Sequence, residues 1–237
     1  LAVIHWPAAG MQLDSKTVAV LGGMGIPFYQ PATGAYREDL RERYGFPINA
    51  KIISTFGFAA VGRGHYEILA ELAPFLLSRP DIHLQLLLSE NAFNPVGFQY
   101  VHRQIEAISK QYGIEHQVHV TKDFLSSLEI LHRLWMSDVG FLYLDGEALS
   151  SSAAIRHFIA AGLPLVTTTS THFADVRGGV IKIAPSAFSF AHAILTLLDD
   201  RDTCARLHRE HEETYSNFVW PKFGEKYLEI YRRVLGG

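Results

Sequence analysis

Two short stretches of this chain carry residue types that could do chemistry. The first reads Phe56-Gly57-Phe58-Ala59-Ala60-Val61-Gly62-Arg63-Gly64-His65. Its small residues let backbone amides approach an anion, and the helical pattern that opens at Gly64–His65 would point its positive end there. Arg63 adds a fixed cation and a bidentate donor fork suited to phosphate oxygens. The second reads Asp145-Gly146-Glu147-Ala148-Leu149-Ser150-Ser151-Ser152, directly before a helical pattern over Ala153–Ala161. Ser150, Ser151 and Ser152 can cap that helix and offer hydroxyls and amides to a phosphate or a sugar. Glu147 sits where a carboxylate could hold sugar hydroxyls. Taken singly, each stretch also fits an ordinary strand-to-helix turn with a solvated Arg or Glu.

Other constellations fall short. His116 and His119 have no third ligand at a recognised metal spacing, and the remaining His are scattered, so no metal site is expected. Leu21-Gly22-Gly23-Met24-Gly25 imitates a dinucleotide loop, but Pro27 and Pro31 follow where a helix should start. No Gly-x-Ser-x-Gly nucleophile elbow occurs. His157 is assigned to the Arg156/Ala160 side of its helix, away from the apolar stripe of Ile155, Phe158 and Ile159. That position by itself suits a surface side chain.

The elements around these stretches follow a regular alternation. Lys51–Phe56, Ile82–Leu88, Gln117–Val120, Asp138–Leu144, Pro164–Thr168 and Val180–Ile183 are short apolar runs of strand length. His65–Ser78, with Ile68, Leu69, Leu72, Phe75 and Leu76 on one stripe, has helical period. So do Gln99–Tyr112, Ser127–Met136, Ser151–Ala161, Ala187–Leu198, Asp202–Tyr215 and, from about Lys222 to Val234, a final helix. The pattern predicts an open, doubly wound parallel α/β sheet of Rossmann-like type. Right-handed crossovers would put all strand-to-helix loops on one edge, where such sheets bind ligands. Before this block, Leu1–His5 and Thr17–Leu21 are predicted strands, Gly22–Gly34 a loop and Tyr36–Tyr44 a short charged helix.

Bulk properties narrow the class. The chain has 237 residues, 48% hydrophobic and 19% charged, so a sizeable core is expected. A formal net charge of -3 gives no reason to expect a nucleic-acid partner. Cys204 is the only cysteine, which excludes an internal disulfide and fits a reducing compartment. No apolar run reaches the roughly 20 residues that span a bilayer. The chain opens on Leu1 without a signal-peptide pattern, which reads as part of a longer protein.

From Val18 to Leu235 the chain resembles the C-terminal, nucleotide-sugar-binding domain of retaining GT-B glycosyltransferases of family 4 (group 1 type). That family includes sucrose synthases and many polysaccharide-assembly enzymes. Val18-Ala19-Val20-Leu21 through Pro31 is similar to the family's interdomain stretch. Phe56-Gly57-Phe58 with Arg63-Gly64 matches its phosphate loop, where Lys-Gly is usual. Ser126-Ser127-Leu128 and Trp135-Met136-Ser137-Asp138-Val139 match the helix and strand before the sugar site. Ala160-Ala161-Gly162-Leu163-Pro164-Leu165-Val166 matches the Ala-small-Gly-x-Pro-Val-Val segment, the most specific piece. Phe218-Val219-Trp220 with Tyr227 and Tyr231 resembles the closing aromatic pattern.

Departures accompany the matches. The family carries two Glu separated by seven residues. The second, which holds the ribose hydroxyls, falls on His157 here. The first, which touches the transferred sugar, falls on Leu149, or on Glu147 if the loop is two residues longer. An Arg that commonly precedes Lys-Gly is replaced, with Phe58 and Ala60 in the plausible slots.

The resemblance implies transfer of a hexose from a UDP- or GDP-sugar to a glycan, lipid or small-molecule acceptor. It needs no cofactor or metal, and the acceptor would sit on a second, N-terminal domain. Residues 1–45 would end that domain or link to it, 46–218 would bind the donor, and 219–237 would form a crossing helix. Gly57, Arg63, Gly64, Ser150, Ser151, Ser152 and His157 would bind the nucleotide-sugar, with Glu147 as the catalytic candidate. A cytoplasmic location follows, open to peripheral attachment at the inner face of a membrane. One rival is a degenerate, non-catalytic relative with a binding or regulatory role, which His157 would favour. Another is a doubly wound isomerase or epimerase, which would need a dinucleotide fingerprint or a general base that the sequence does not show.

Overall fold

A computed structural model describes residues 3–4, 18–19, 30–31, 33–90, 94–145, 152–217 and 219–236. The chain begins with β1 (Val3–Ile4) and β2 (Val18–Ala19), paired in parallel, and α1 (Gly34–Arg43). There follow β3 (Lys51–Phe58), α2 (His65–Ser78), β4 (Ile82–Ser89), α3 (Pro95–Tyr112), β5 (Val118–Thr121), α4 (Ser127–Trp135), β6 (Val139–Leu142) and α5 (Ala153–Ala160). Then come β7 (Leu165–Thr168), a 3-10 turn (Thr171–Phe173), β8 (Val180–Ile183), α6 (Ala187–Asp199), α7 (Arg201–Tyr215) and α8 (Trp220–Gly236). Strands β3 to β8 form one six-stranded sheet, every pair parallel, in the order β5-β4-β3-β6-β7-β8. This is the open α/β architecture that the sequence predicts.

Residues alternate between the two faces of the sheet, so each face builds its own core. Ile53, Leu84, Leu86, Val139 and Phe141 join α2, α3 and α6 through Ile68, Leu72, Val101 and Ile194. Ile52, Leu142 and Leu165 join α1, α4 and α5 through Leu40, Ile130, Leu134, Ile155 and Phe158. Burying one such side chain contributes about 1.5–3 kcal/mol.

Several boundaries differ from expectation for local reasons. α3 starts four residues early because Asn94 accepts the Gly97 N–H at 3.0 Å and Pro95 takes the first helical position. Asp138 stands outside β6: its carboxylate accepts the Ile52 N–H at 2.7 Å and pairs with Arg37 and Arg41. Phe75, placed on the inner stripe of α2, is 46% exposed, whereas Ile68, Leu69, Leu72 and Leu76 are fully buried. The Arg156/Ala160 side of α5 is not a surface, because Arg156 is buried in an ion pair with Asp175 and Ala160 is fully buried. Residues 22–29 of the expected early loop lie outside the described residues.

The His116/His119 pairing noted in the sequence is replaced by a contact between strands. His83 Nδ1 and His119 Nε2 lie 3.0 Å apart, with Phe46 packed on the His119 ring. Burial and the His83 neighbour push His119 down to about 4. Burial does the same to His211 in α7, also to about 4. Unfolded imidazoles take up protons near pH ~6.5. Between about pH 6.5 and 4 the unfolded chain therefore holds more protons than the folded one, and stability falls as pH drops through that window. Urea midpoints measured from pH 7.5 to 4.5 should decline below pH ~6.5. Constant midpoints would show that these imidazoles do not govern acid stability.

Candidate functional site

The winding of the sheet places the site. From β3 the chain steps to β4 and β5 on one side, then returns to β6 and proceeds to β7 and β8 on the other. β3 and β6 are neighbours whose crossovers leave in opposite directions, and the crevice beyond their carboxyl ends is where such sheets bind ligands. Their ladder consists of Ile53↔Val139 and Ser54↔Gly140, whereas β3 pairs with β4 along its full length from Lys51↔Ile82 to Phe58↔Ser89. Past Ser54 the two strands part. The gap is lined by Thr55, Phe56, Gly57, Arg63, His65, Tyr143 and Ser152, among others.

The loop after β3 delivers the first group of expected residues. Gly57 lies in β3 opposite Leu88. Gly64 is the N-cap of α2 in the left-handed conformation, φ 71°. It also has no room for a side chain, because a Cβ there would lie 2.5 Å from Cγ of Tyr143. Arg63 is half-buried and has no hydrogen bond or ion pair from its side chain among the described residues. Burial lowers its pKa. A half-buried guanidinium thus stands beside a helix N-terminus, where the backbone adds roughly half a positive charge.

The loop after β6 folds onto the first. Tyr143 covers Gly64, and the Asp145 N–H donates to the Gly62 carbonyl at 3.3 Å. The Thr168 hydroxyl lies 2.8 Å from the Leu144 carbonyl, to which it donates, which ties the same loop to the end of β7. Glu147, Ser150 and Ser151 lie outside the described residues. Ser152 is the N-cap of α5, but its side chain makes no capping hydrogen bond, contrary to expectation. Its position is set by its backbone N–H, which donates to the His172 carbonyl at 3.2 Å.

His157 is not a surface residue. It is half-buried one helical turn after Ser152, with its ring edge-on to Phe56 at 5.3 Å between centroids. Burial lowers its pKa, which favours the neutral, hydrogen-bond-accepting ring. His65, which sequence reasoning used only to mark a helix start, also lines the crevice. It is buried, its Nε2–H donates to the Phe58 carbonyl at 3.2 Å, and burial pushes it down to about 4. Its adjacency to Arg63-Gly64 was the available signal. Tyr143 gave none, since only the folded loop brings it to Gly64. Among the described residues, no group of three or more His, Cys, Asp or Glu could hold a metal ion.

Comparison with known proteins agrees with this fold. The chain matches solved structures over nearly its whole length. The structure of Anabaena Alr3699/HepE in complex with UDP and glucose superposes with a TM-score of 0.74 at 15% identity, covering 92% of this chain and 57% of that one. Sucrose-phosphate synthase (tll1590) from Thermosynechococcus elongatus gives 0.72 at 18%, covering 94% and 54%. The fold is that of GT-B glycosyltransferases. Curated relatives include the D-inositol 3-phosphate glycosyltransferases of Corynebacterium glutamicum (strain R), 20% identical over 231 residues, and Corynebacterium urealyticum, 21% over 225. They match 94% and 93% of this chain but 53% and 52% of their own sequences, so the chain spans about half their length. No family model matches. No helix of the described residues is long and apolar enough to cross a membrane.

The Gly64–Tyr143 contact is open to direct test. Gly64→Ala should lose about 1–2 kcal/mol to the left-handed backbone and about 1–3 kcal/mol more to overlap with Tyr143. Adding Tyr143→Ala should recover the second loss and leave the first. Urea unfolding of the single and double variants reads both. A loss in Gly64→Ala no larger than the backbone cost, with nothing recovered in the double variant, would show that the two loops are not in contact.

Proposed function

We propose that this chain is the donor-binding half of a retaining glycosyltransferase of the family 4 type. It would present a UDP- or GDP-sugar for transfer of a hexose to an acceptor held by another domain. The observation that carries this reading is Arg63: a half-buried guanidinium at the topological switch point, beside the start of α2, with no partner among the described residues. The fold and the relatives named as glycosyltransferases support it. They give no support to the non-catalytic alternative. In this reading residues 1–45 belong to or join the other domain, 46–218 bind the donor and 219–237 cross back.

The chemistry follows from charge. Breaking the bond between sugar and diphosphate develops negative charge on the leaving group, and preorganised donors that meet it lower the barrier. Arg63, the amides around Gly57 and Gly64 and the α2 N-terminus would receive the diphosphate, together with Ser152 at the start of α5 and Ser150 and Ser151 that precede it in the chain. His157 would accept a hydrogen bond from a ribose hydroxyl, and Glu147 would orient the sugar. These groups carry the leaving charge without a metal. The acceptor, whether glycan, lipid or small molecule, would lie on the other domain.

A charge-assisted hydrogen bond of the kind assigned to Arg63 contributes roughly 1.5–3 kcal/mol. Arg63→Ala should therefore weaken UDP or GDP about tenfold or more, measured by calorimetry at fixed ionic strength. An unchanged dissociation constant removes Arg63 from the site.

His157 predicts a pH dependence. Burial lowers its pKa, so the neutral acceptor persists through the ordinary titration near pH ~6.5. Affinity for an intact nucleotide-sugar, which lacks a titrating terminal phosphate, should hold from pH 8 to about 6.5 and fall only below that. His157→Glu should flatten the fall. If His157→Glu and His157→Ala both leave affinity unaltered across the range, His157 does not touch the donor.

A further inference from the structure

A much larger cavity, of about 690 Å³, opens at the opposite, amino edge of the sheet. Its wall runs from Lys51 at the start of β3 to Val139 and Pro164, closed by α1 and by the junction of α6 with α7. The volume lies in the range of small-molecule sites, roughly 300–1,000 Å³. β3 separates this cavity from Arg63 by its full length, roughly 25 Å at about 3.3 Å per residue. The two hollows cannot share one ligand of ordinary metabolite size.

The charges around the cavity do not cancel. Arg37 and Arg41 share the single carboxylate of Asp138, at 2.5 and 2.9 Å. Lys51 and Arg79 share that of Asp199, at 2.5 and 2.6 Å. Asp138 neutralises one of its two guanidinium groups, so positive charge is left over there, whereas Arg79 also pairs with Asp81 at 3.1 Å and the second group is balanced. Arg201 adds another and has no ion-pair partner among the described residues. Arg41 is committed to structure, donating also to the Met136 and Ile48 carbonyls. Arg37 is not fully used: its Nε–H is buried with no acceptor among the described residues. A buried unpaired donor is costly, and an acceptor supplied by a ligand relieves that cost.

Further polar groups could meet the body of a ligand. His208 lines the cavity and is held by Nδ1, which donates to the Gly162 carbonyl at 2.8 Å. That leaves Nε2 to accept from a hydroxyl. A surplus of more than one positive charge suits a phosphate dianion better than a single carboxylate. We propose that this amino-edge cavity is a second ligand site, separate from the carboxyl-edge crevice, for a small phosphorylated metabolite whose phosphate is met by Arg37, Lys51 and Arg201.

Inorganic pyrophosphate serves as the probe. It should be titrated by calorimetry at fixed ionic strength into Arg63→Ala, in which the carboxyl-edge crevice has lost its cation. Saturable binding is expected there. Arg63→Ala with Arg201→Glu should bind about tenfold more weakly or worse. Arg201 is exposed at the start of α7, where a Glu suits the helix end and disturbs no core. Cys204, the chain's only cysteine, lines the cavity and reports location. Pyrophosphate should slow its modification by a thiol reagent in Arg63→Ala and not in the double variant. Absence of saturable binding to Arg63→Ala, or equal affinity in the two variants, overturns the proposal. UDP titrated into Arg201→Glu with Arg63 intact reads the other site, so loss of the donor reading would be seen separately.

Discussion

The parting of β3 and β6 is the constraint on which the rest of the site depends. Both strands run parallel at the centre of the sheet, yet their helices leave to opposite sides of it. A parallel strand cannot turn directly back, so each must exit through a loop at the carboxyl edge. Because the two exits diverge, the described parts of the two loops leave a space between them. The sheet therefore produces a crevice from connectivity alone, and side chains need only furnish it. Here they do so by contact between the loops: Tyr143 lies on Gly64, and Asp145 donates to Gly62. The crevice is narrow at its base because Gly64 has no side chain.

The opposite edge supplies the rigidity. The starts of β3 and β6 are joined by Asp138, whose carboxylate takes the Ile52 N–H and two guanidinium groups. Beneath the strands, Ser54, Ser137 and Gln85 form a buried polar cluster, with the two hydroxyls 2.6 Å apart and the Gln85 amide donating to Ser54 at 2.8 Å. The Gln117 amide lies within 3.0 Å of the carbonyls of Leu76, Arg79 and Ile82, tying the start of β4 to the end of α2. Buried polar groups of this kind are costly unless paired, and here each partner is fixed by backbone or by another side chain. Strand positions set this firmly at one edge let the irregular, glycine-rich loop after β3 hold a defined place at the other.

What could be read from the sequence followed from local periodicity. β4 is an unbroken buried run, Ile82–Ser89, and its apolar string marks it without any partner being known. α2 was found to the residue, from His65 to Ser78, because its apolar spacing and the Gly64 start agree. Reading failed where long-range packing overrode the pattern. Phe75 fits the stripe of α2 by spacing, but no neighbouring element covers it. Arg156 looks like a surface residue until Asp175, nineteen positions on, arrives as its buried partner. His83 and His119 are thirty-six positions apart and meet only because β4 and β5 pair. At the site, Arg63 and Gly64 were legible because a single loop contains them. Tyr143 was not, because its role exists only across the crevice.

His157 shows how burial decides what a substitution can mean. Where the resemblance expects a Glu, the ring here packs edge-on to Phe56 and is half-buried. A carboxylate in that setting would carry a desolvation cost that a cationic partner or several donors must offset. A neutral imidazole carries no such charge and still presents one acceptor nitrogen. The exchange therefore removes a two-oxygen anionic acceptor and leaves a one-nitrogen neutral one, in a place where apolar packing favours neutrality. Such an acceptor orients a hydroxyl but adds no negative charge. Under the proposed donor reading, Arg63 and the start of α2 would face a diphosphate with less opposing charge near them. In the proposed reading, recognition would shift from the ribose end of a nucleotide towards its phosphates.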